Sequence, residues 1–177
     1  MAYIILYTGG CRSGKSEMAR KNCEKITGKK LFLATAPVLN EEMEQRVQKH
    51  KASRDPKIWD TIEEEISLAE VFLRSDHNVI LVDCLTFWVD NIIYKMPAIK
   101  EEDLSPFLEK TFQSMESFKG TVVFVTNEIG LGTLPQTPRD RKFRDFVGIA
   151  NKMVAELANK VYFSVSGIPM LIKDHHS

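Results

Sequence analysis

The segment Gly9-Gly10-Cys11-Arg12-Ser13-Gly14-Lys15-Ser16 carries the spacing Gly-x-x-x-x-Gly-Lys-Ser, which suits a nucleoside triphosphate. Glycines let the backbone curl so that successive N–H groups point at phosphate oxygens. Lys15 supplies a mobile positive charge for the terminal phosphates, and Ser16 offers a hydroxyl to Mg²⁺. An apolar run precedes the loop and a helix-patterned segment follows it, so the positive end of a helix adds to the cradle. Asp83 ends the apolar run Val79-Ile80-Leu81-Val82. Two roles fit it: a carboxylate that reaches Mg²⁺ directly or through water, and an N-cap for the next helix. Asn127-Glu128 closes another apolar run, where Glu128 suits either orienting a hydroxyl or metal-bound water or capping the loop.

These residues need a scaffold that brings strand ends together. Tyr3 to Thr8, Lys30 to Thr35, Val79 to Asp83, Thr121 to Thr126 and Val161 to Val165 read as buried strands. Lys15 to Ile26, Asn40 to Lys51, Ile66 to Arg74, Thr86 to Tyr94, Leu104 to Phe118 and Phe143 to Ala158 read as helices. Such alternation predicts an α/β fold of the P-loop NTPase type, three layers with a mostly parallel central sheet. Ser166 to Lys173 reads as a turn and a last strand, which Pro169 confines to an edge. In open sheets of this kind ligands bind at the carboxyl ends of the strands. There the glycine loop, Ala34-Thr35-Ala36, Asp83 and Asn127-Glu128 converge.

The 177 residues are expected to form one catalytic domain, 1–177. Twenty-four Lys plus Arg balance twenty-four Asp plus Glu, which removes the electrostatic footprint of a general nucleic-acid binder. The apolar start, Tyr3 to Tyr7, is too short for a signal peptide, and no run is long enough to span a bilayer. Cys11, Cys23 and Cys84 show no metal-ligand spacing and read as reduced thiols of a cytoplasmic protein.

Beyond the phosphate loop the motifs form an ordered set. Thr8 to Ser16 and Ala34-Thr35-Ala36 come first, then Glu42-Met43-x-x-Arg46-Val47-x-x-His50 and Trp59-x-Thr61-x-Glu63. Asp83-Cys84-Leu85-Thr86-x-Trp88 with Asn91 and Asn127-Glu128-Ile129-Gly130-Leu131-Gly132 follow. Arg141-x-Phe143-Arg144-Asp145 with Gly148 and Asn151, and Ser166-Gly167-Ile168-Pro169 with Lys173, complete it. In this the sequence resembles the bifunctional adenosylcobinamide kinase / adenosylcobinamide-phosphate guanylyltransferase family of cobalamin biosynthesis. It departs from the family pattern at Cys11, Asn40, Glu64, Lys152 and Asn159.

The resemblance implies a RecA-like sheet and two reactions. ATP or GTP phosphorylates the hydroxyl of adenosylcobinamide's aminopropanol arm. GTP then transfers GMP to His50, and from there to the new phosphate, giving adenosylcobinamide-GDP. It further implies nucleotide binding by Gly9 through Ser16, Ala34, Thr35, Ala36, Lys51, Ala52, Ser53, Arg54, Glu63 and Asp83, with Mg²⁺ at Ser16 and Asp83. The partners implied are adenosylcobinamide and its phosphate, in a homotrimer. Arg46 and His50 are four residues apart on a helical pattern and so share a face, with Arg54 close behind. Guanidinium groups beside an imidazole can hold a triphosphate and keep that imidazole neutral for attack. Arg141 and Arg144 suit either a phosphate or corrin contact or a solvated face paired with Asp140 and Asp145. Trp59, Phe87 and Trp88 suit the core better than a base-stacking platform. Two other classes stay in view: a small-molecule kinase without nucleotidyl transfer, and a non-enzymatic nucleotide switch.

Overall fold

Short apolar runs bounded by turn residues become most of the strands of this chain. The computed structural model describes residues 1–37, 48 and 54–175. Its strands are β1 (Tyr3–Gly9), β2 (Lys30–Ala34), β3 (Trp59–Glu63), β4 (Val79–Asp83), β5 (Thr121–Val125), β6 (Lys160–Val165) and β7 (Ile168–Asp174). They form one sheet in the order β3-β2-β4-β5-β1-β6-β7. Every pairing is parallel except β6 with β7. The register sets Leu6 opposite Phe124 and Leu33 opposite Val82.

Alternation along the strands sends successive side chains to opposite faces. Leu6, Leu31, Leu33, Ile80, Val82, Val122 and Phe124 pack on one side against helices α2 (Leu68–Arg74), α3 (Leu85–Lys95), α4 (Glu101–Gln113) and α5 (Pro138–Leu157). Tyr7, Phe32, Leu81, Val123 and Val125 face the other way, against Ala19 and Cys23 of α1 (Lys15–Glu24) and against Trp59. Trp88 is fully buried and its indole N–H donates to Ile66 O at 2.9 Å, so it belongs to the core. Side chains of this size contribute roughly 1.5–3 kcal/mol each on burial, enough for the two layers to fix the sheet.

Several boundaries differ from expectation. The apolar pattern does not predict β3, because only Trp59 of its five residues is buried. It exists by backbone pairing to β2, which leaves no apolar run to read. Helix α5 begins at Pro138 rather than Phe143: Thr137 Oγ1 accepts from Asp140 N at 3.1 Å and Pro138 occupies the first turn, a strong start signal. Helix α4 opens at Glu101 and ends at Gln113, and a 3₁₀ turn over Ser114–Ser117 takes the remainder. Strand β7 is the antiparallel edge strand expected, entered through Ser166 and Gly167 at φ 50° and 84°, a conformation matched to a tight hairpin. The helix expected over Asn40 to Lys51 lies outside the described residues.

Candidate nucleotide site

The phosphate loop leaves β1 at Gly9 and enters α1 at Lys15. A Cβ on Gly9 would stand 2.4 Å from the Ser164 carbonyl oxygen, so neighbouring β6 admits only glycine there. Gly14, at φ 84°, turns the chain into the helix. Gly167 N donates to Ser13 O at 3.2 Å and braces the loop against the β6–β7 turn. Among the described residues, Ser13 Oγ is buried with no hydrogen-bond partner. Cys11 is exposed on the loop and is a free thiol. Lys15 is buried and its Nζ donates to Gly10 O at 3.0 Å. Burial holds its ammonium below the usual lysine range, with Cys84, Asp83 and Cys11 opposing. The loop thus holds an under-solvated cation and an unmatched hydroxyl, both suited to phosphate oxygens.

Asp83 ends β4, adjacent to Ser16 across the loop, and Ser16 Oγ donates to Asp83 Oδ1 at 3.5 Å. The residue at the cap position of α3 is Cys84, not Asp83. A hydroxyl beside one carboxylate is the hard-oxygen donor set that Mg²⁺ takes together with phosphates and water. Among the described residues no cluster of three His, Cys, Asp or Glu side chains offers a metal an alternative. Burial pushes the Cys84 thiol up to about 12, so it stays protonated and is no nucleophile.

Of the Ala34-Thr35-Ala36 segment, Thr35 faces inward. Its Oγ1 donates to Cys84 O at 2.7 Å and accepts from Cys84 N at 2.8 Å. Asn91 Nδ2 donates to Thr35 O at 2.7 Å and to Glu65 O at 3.1 Å. This clamp fixes the ends of β2 and β4 relative to each other. Ala34 and Ala36 line a cleft of about 560 Å³ together with Glu63, Glu64, Ile66 and Lys95. Glu64 has its own task, accepting from Ile66 N and Ser67 N at the start of α2.

Arg54 is buried, and its guanidinium lies 3.6 Å from the centre of the Phe32 ring. Burial lowers its pKa, and Asp83 acts against that shift. Arg46, His50, Lys51, Ala52 and Ser53 lie outside the described residues. Asn127 and Glu128 follow β5: Glu128 N donates to Gly9 O at 3.1 Å, and Glu128 Oε2 accepts from Thr8 Oγ1 at 3.3 Å. Glu128 makes no side-chain cap to the turn after it. Arg141 and Arg144 are engaged locally. Arg141 donates to Pro135 O and Gln136 O at 3.0 and 2.7 Å, and Arg144 pairs with Asp145 at 2.9 Å. Sequence reasoning missed Thr126 and Phe32, which read as strand residues and no more. What makes them part of the site is the partner each meets across the fold.

The family model described as cobinamide kinase / cobinamide phosphate guanyltransferase matches residues 5–172. The chain is 33% identical to the bifunctional adenosylcobalamin biosynthesis protein CobU of Escherichia coli (strain K12), over 96% of this chain and 99% of that protein. It is 34% identical to the bifunctional adenosylcobalamin biosynthesis protein CobP of Pseudomonas aeruginosa, over 95% and 96%. Among solved structures it resembles an ATPase of the type III secretion system, with TM-score 0.59 and 11% identity over 91% of this chain and 50% of that one. It also resembles the RadB recombinase, with TM-score 0.51 and 12% identity over 91% and 73%. At such identities these two show the fold alone, the P-loop ATPase and recombinase type. With the family model matching most of the chain and relatives alike over nearly their whole length, the chain belongs to the cobinamide kinase / cobinamide phosphate guanyltransferase family.

Proposed function

We propose that this chain, as a single catalytic domain over 1–177, phosphorylates adenosylcobinamide with ATP or GTP and then guanylylates the product from GTP through His50. The observation that carries the reading is the loop from Gly9 to Ser16 with buried Lys15 and the Ser16–Asp83 pair beside it, in a chain of this family. Lys15, Ser13 and the loop N–H groups bind the phosphates. Mg²⁺, held by Ser16 and Asp83, would supply charge neutralisation on the transferring phosphoryl group. Ala34, Ala36 and Glu63 line the cleft that receives the rest of the nucleotide, and Thr35 holds its floor in place.

His50 is the nucleophile for guanylyl transfer, with Arg46, Lys51, Ala52, Ser53 and Arg54 around the triphosphate. Its imidazole nitrogen attacks the α-phosphorus of GTP, a P–N bond forms, and pyrophosphate leaves with the bonding pair. The new phosphate of the acceptor then displaces the histidine. Asn127 and Glu128 serve the acceptor side, while Arg141 and Arg144 order the chain at the start of α5. The protein works in the cytoplasm as a homotrimer, without nucleic-acid or membrane partners. No helix among the described residues is long and apolar enough to cross a membrane.

Incubation with α-labelled GTP tests the reading. The expected result is a covalent adduct, acid-labile and alkali-stable as a phosphoramidate is, which EDTA abolishes and His50→Ala does not form. An adduct that survives in His50→Ala would remove the histidine assignment. Phosphorylation of adenosylcobinamide without any adduct would reduce the protein to a kinase.

A further inference from the structure

Strand β5 lies between β1, which feeds the phosphate loop, and β4, which ends in Asp83. Whatever follows β5 therefore emerges between the loop and the proposed metal carboxylate. Two backbone bonds extend the pairing: Thr126 N to Tyr7 O at 3.0 Å and Glu128 N to Gly9 O at 3.1 Å. They bring Glu128 level with the first residue of the loop.

A buried hydrogen-bond chain ends on that carboxylate, and its polarity is determined. Thr126 Oγ1 donates to Asn151 Oδ1 at 2.7 Å, which commits the single hydroxyl proton of Thr126. Thr86 Oγ1, 3.1 Å from Thr126 Oγ1, must then be the donor of that pair, while it accepts from Asn127 N at 2.8 Å. Asn151 Oδ1 is thereby occupied as an acceptor. Its Nδ2 faces Asn127 O at 3.1 Å and Glu128 Oε2 at 3.3 Å. Thr8 Oγ1 adds a second donor to Oε2. Thr86, Thr126 and Asn151 are all buried, and Thr126 is wholly so. Every link hands a proton toward Glu128. The other oxygen, Oε1, accepts no hydrogen bond among the described residues. It points toward exposed Gly130, where a Cβ would stand 3.7 Å away.

We propose that Glu128 is the general base of the phosphorylation step and that Asn151 is its positioning residue. This deepens, and rests on, the kinase reading of the site. The acceptor hydroxyl oxygen attacks the γ-phosphorus and forms the new O–P bond. The bond from the γ-phosphorus to the β,γ-bridging oxygen breaks, and the nucleoside diphosphate leaves with its electron pair. The hydroxyl proton passes to Glu128 Oε1, and solvent later removes it. Oε2 stays fixed by Thr8 and Asn151, so the receiving oxygen keeps one orientation.

The two possible roles of Glu128 separate cleanly in one substitution. In Glu128→Gln the amide oxygen still accepts from Thr8 and Asn151, which preserves the scaffold but removes the proton acceptor. Steady-state phosphorylation of adenosylcobinamide by the full chain is the measurement, with unfolding temperature as the check on folding. Expected is a fall in kcat of at least about 100-fold, the usual scale of a general base, with KM for the nucleotide within about threefold. Glu128→Asp recovers part of the loss, and Asn151→Ala lowers kcat about tenfold at unchanged KM. A fall in kcat of less than tenfold in Glu128→Gln, or a rise in KM that accounts for the loss, would overturn the proposal. Should Glu128→Gln not fold, the Asn151→Ala kinetics and the Glu128→Asp kinetics decide by the same split. Failure of the unaltered protein to phosphorylate adenosylcobinamide would overturn the kinase reading instead.

Discussion

At Lys15, binding and folding pull in opposite directions. The buried ammonium donates to Gly10 O, and burial holds its pKa below the usual 10.5. A depressed lysine pKa means that the unfolded chain binds more protons than the folded one as pH climbs from the folded value to 10.5. Stability of the nucleotide-free protein therefore rises with pH across that window, and the penalty is fully present below it. Lys15→Met is expected to raise the melting temperature of the free protein by about 2–4 °C, the shift that ~1 kcal/mol gives a domain of this size. The same variant loses the stabilisation that GTP confers on the unaltered protein. Thermal melts with and without GTP check both halves, and an unchanged or lowered melting temperature of the free variant would remove the argument. Lys15 was legible in the sequence as a phosphate-binding candidate because a phosphate loop is a local object, with spacing that is its geometry. Glu128 was legible only as a candidate, since Thr8 and Asn151, the partners that choose its role, come from other elements.

The elements matter here through how closely they approach. The end of β1 runs against β6 so tightly that a methyl group on Gly9 would overlap the Ser164 carbonyl. Backbone on backbone has no flexible end to give way. Gly9→Ala is therefore expected to destabilise by roughly 2–4 kcal/mol, at the upper end of ordinary single substitutions, and to weaken nucleotide binding at least tenfold. Chemical denaturation and GTP titration measure the two effects. Gly10→Ala, where no atom lies within 4 Å of the place a methyl group would take, is the paired control for stability. Strand β3 shows the limit of pattern reading at this scale. Trp59-x-Thr61-x-Glu63 stands out as a motif, yet four of the five residues are exposed, and only pairing with β2 makes them a strand. Helix α5 shows the converse, since its early start was written in Thr137-Pro138-x-Asp140 as a cap and was legible on capping grounds alone.

For the molecule as a whole, the sheet edge at β7 is the feature that bears on assembly. Among the described residues strand β7 ends the sheet and leaves Ile168, Met170, Leu171 and Ile172 exposed, apolar surface on a strand edge that an assembly would cover. Light scattering on the purified protein is expected to give the mass of three chains, and a single-chain mass at micromolar concentration would end the homotrimer reading. The sequence by itself determined the strand–helix alternation, the phosphate loop and the carboxylate after the Val79–Val82 run, because each is encoded within a few consecutive residues. Apolar periodicity and glycine spacing are local signals, and local signals survive without the fold. Only the tertiary structure decided that β5 inserts between β1 and β4, that Asp83 meets Ser16 rather than capping α3, and that Asn151 and Thr8 converge on Glu128. Strand order and long-range hydrogen bonds are chosen by packing between distant segments, where many pairings satisfy the same apolar pattern. One pairing is selected when all the buried polar groups must find partners at once.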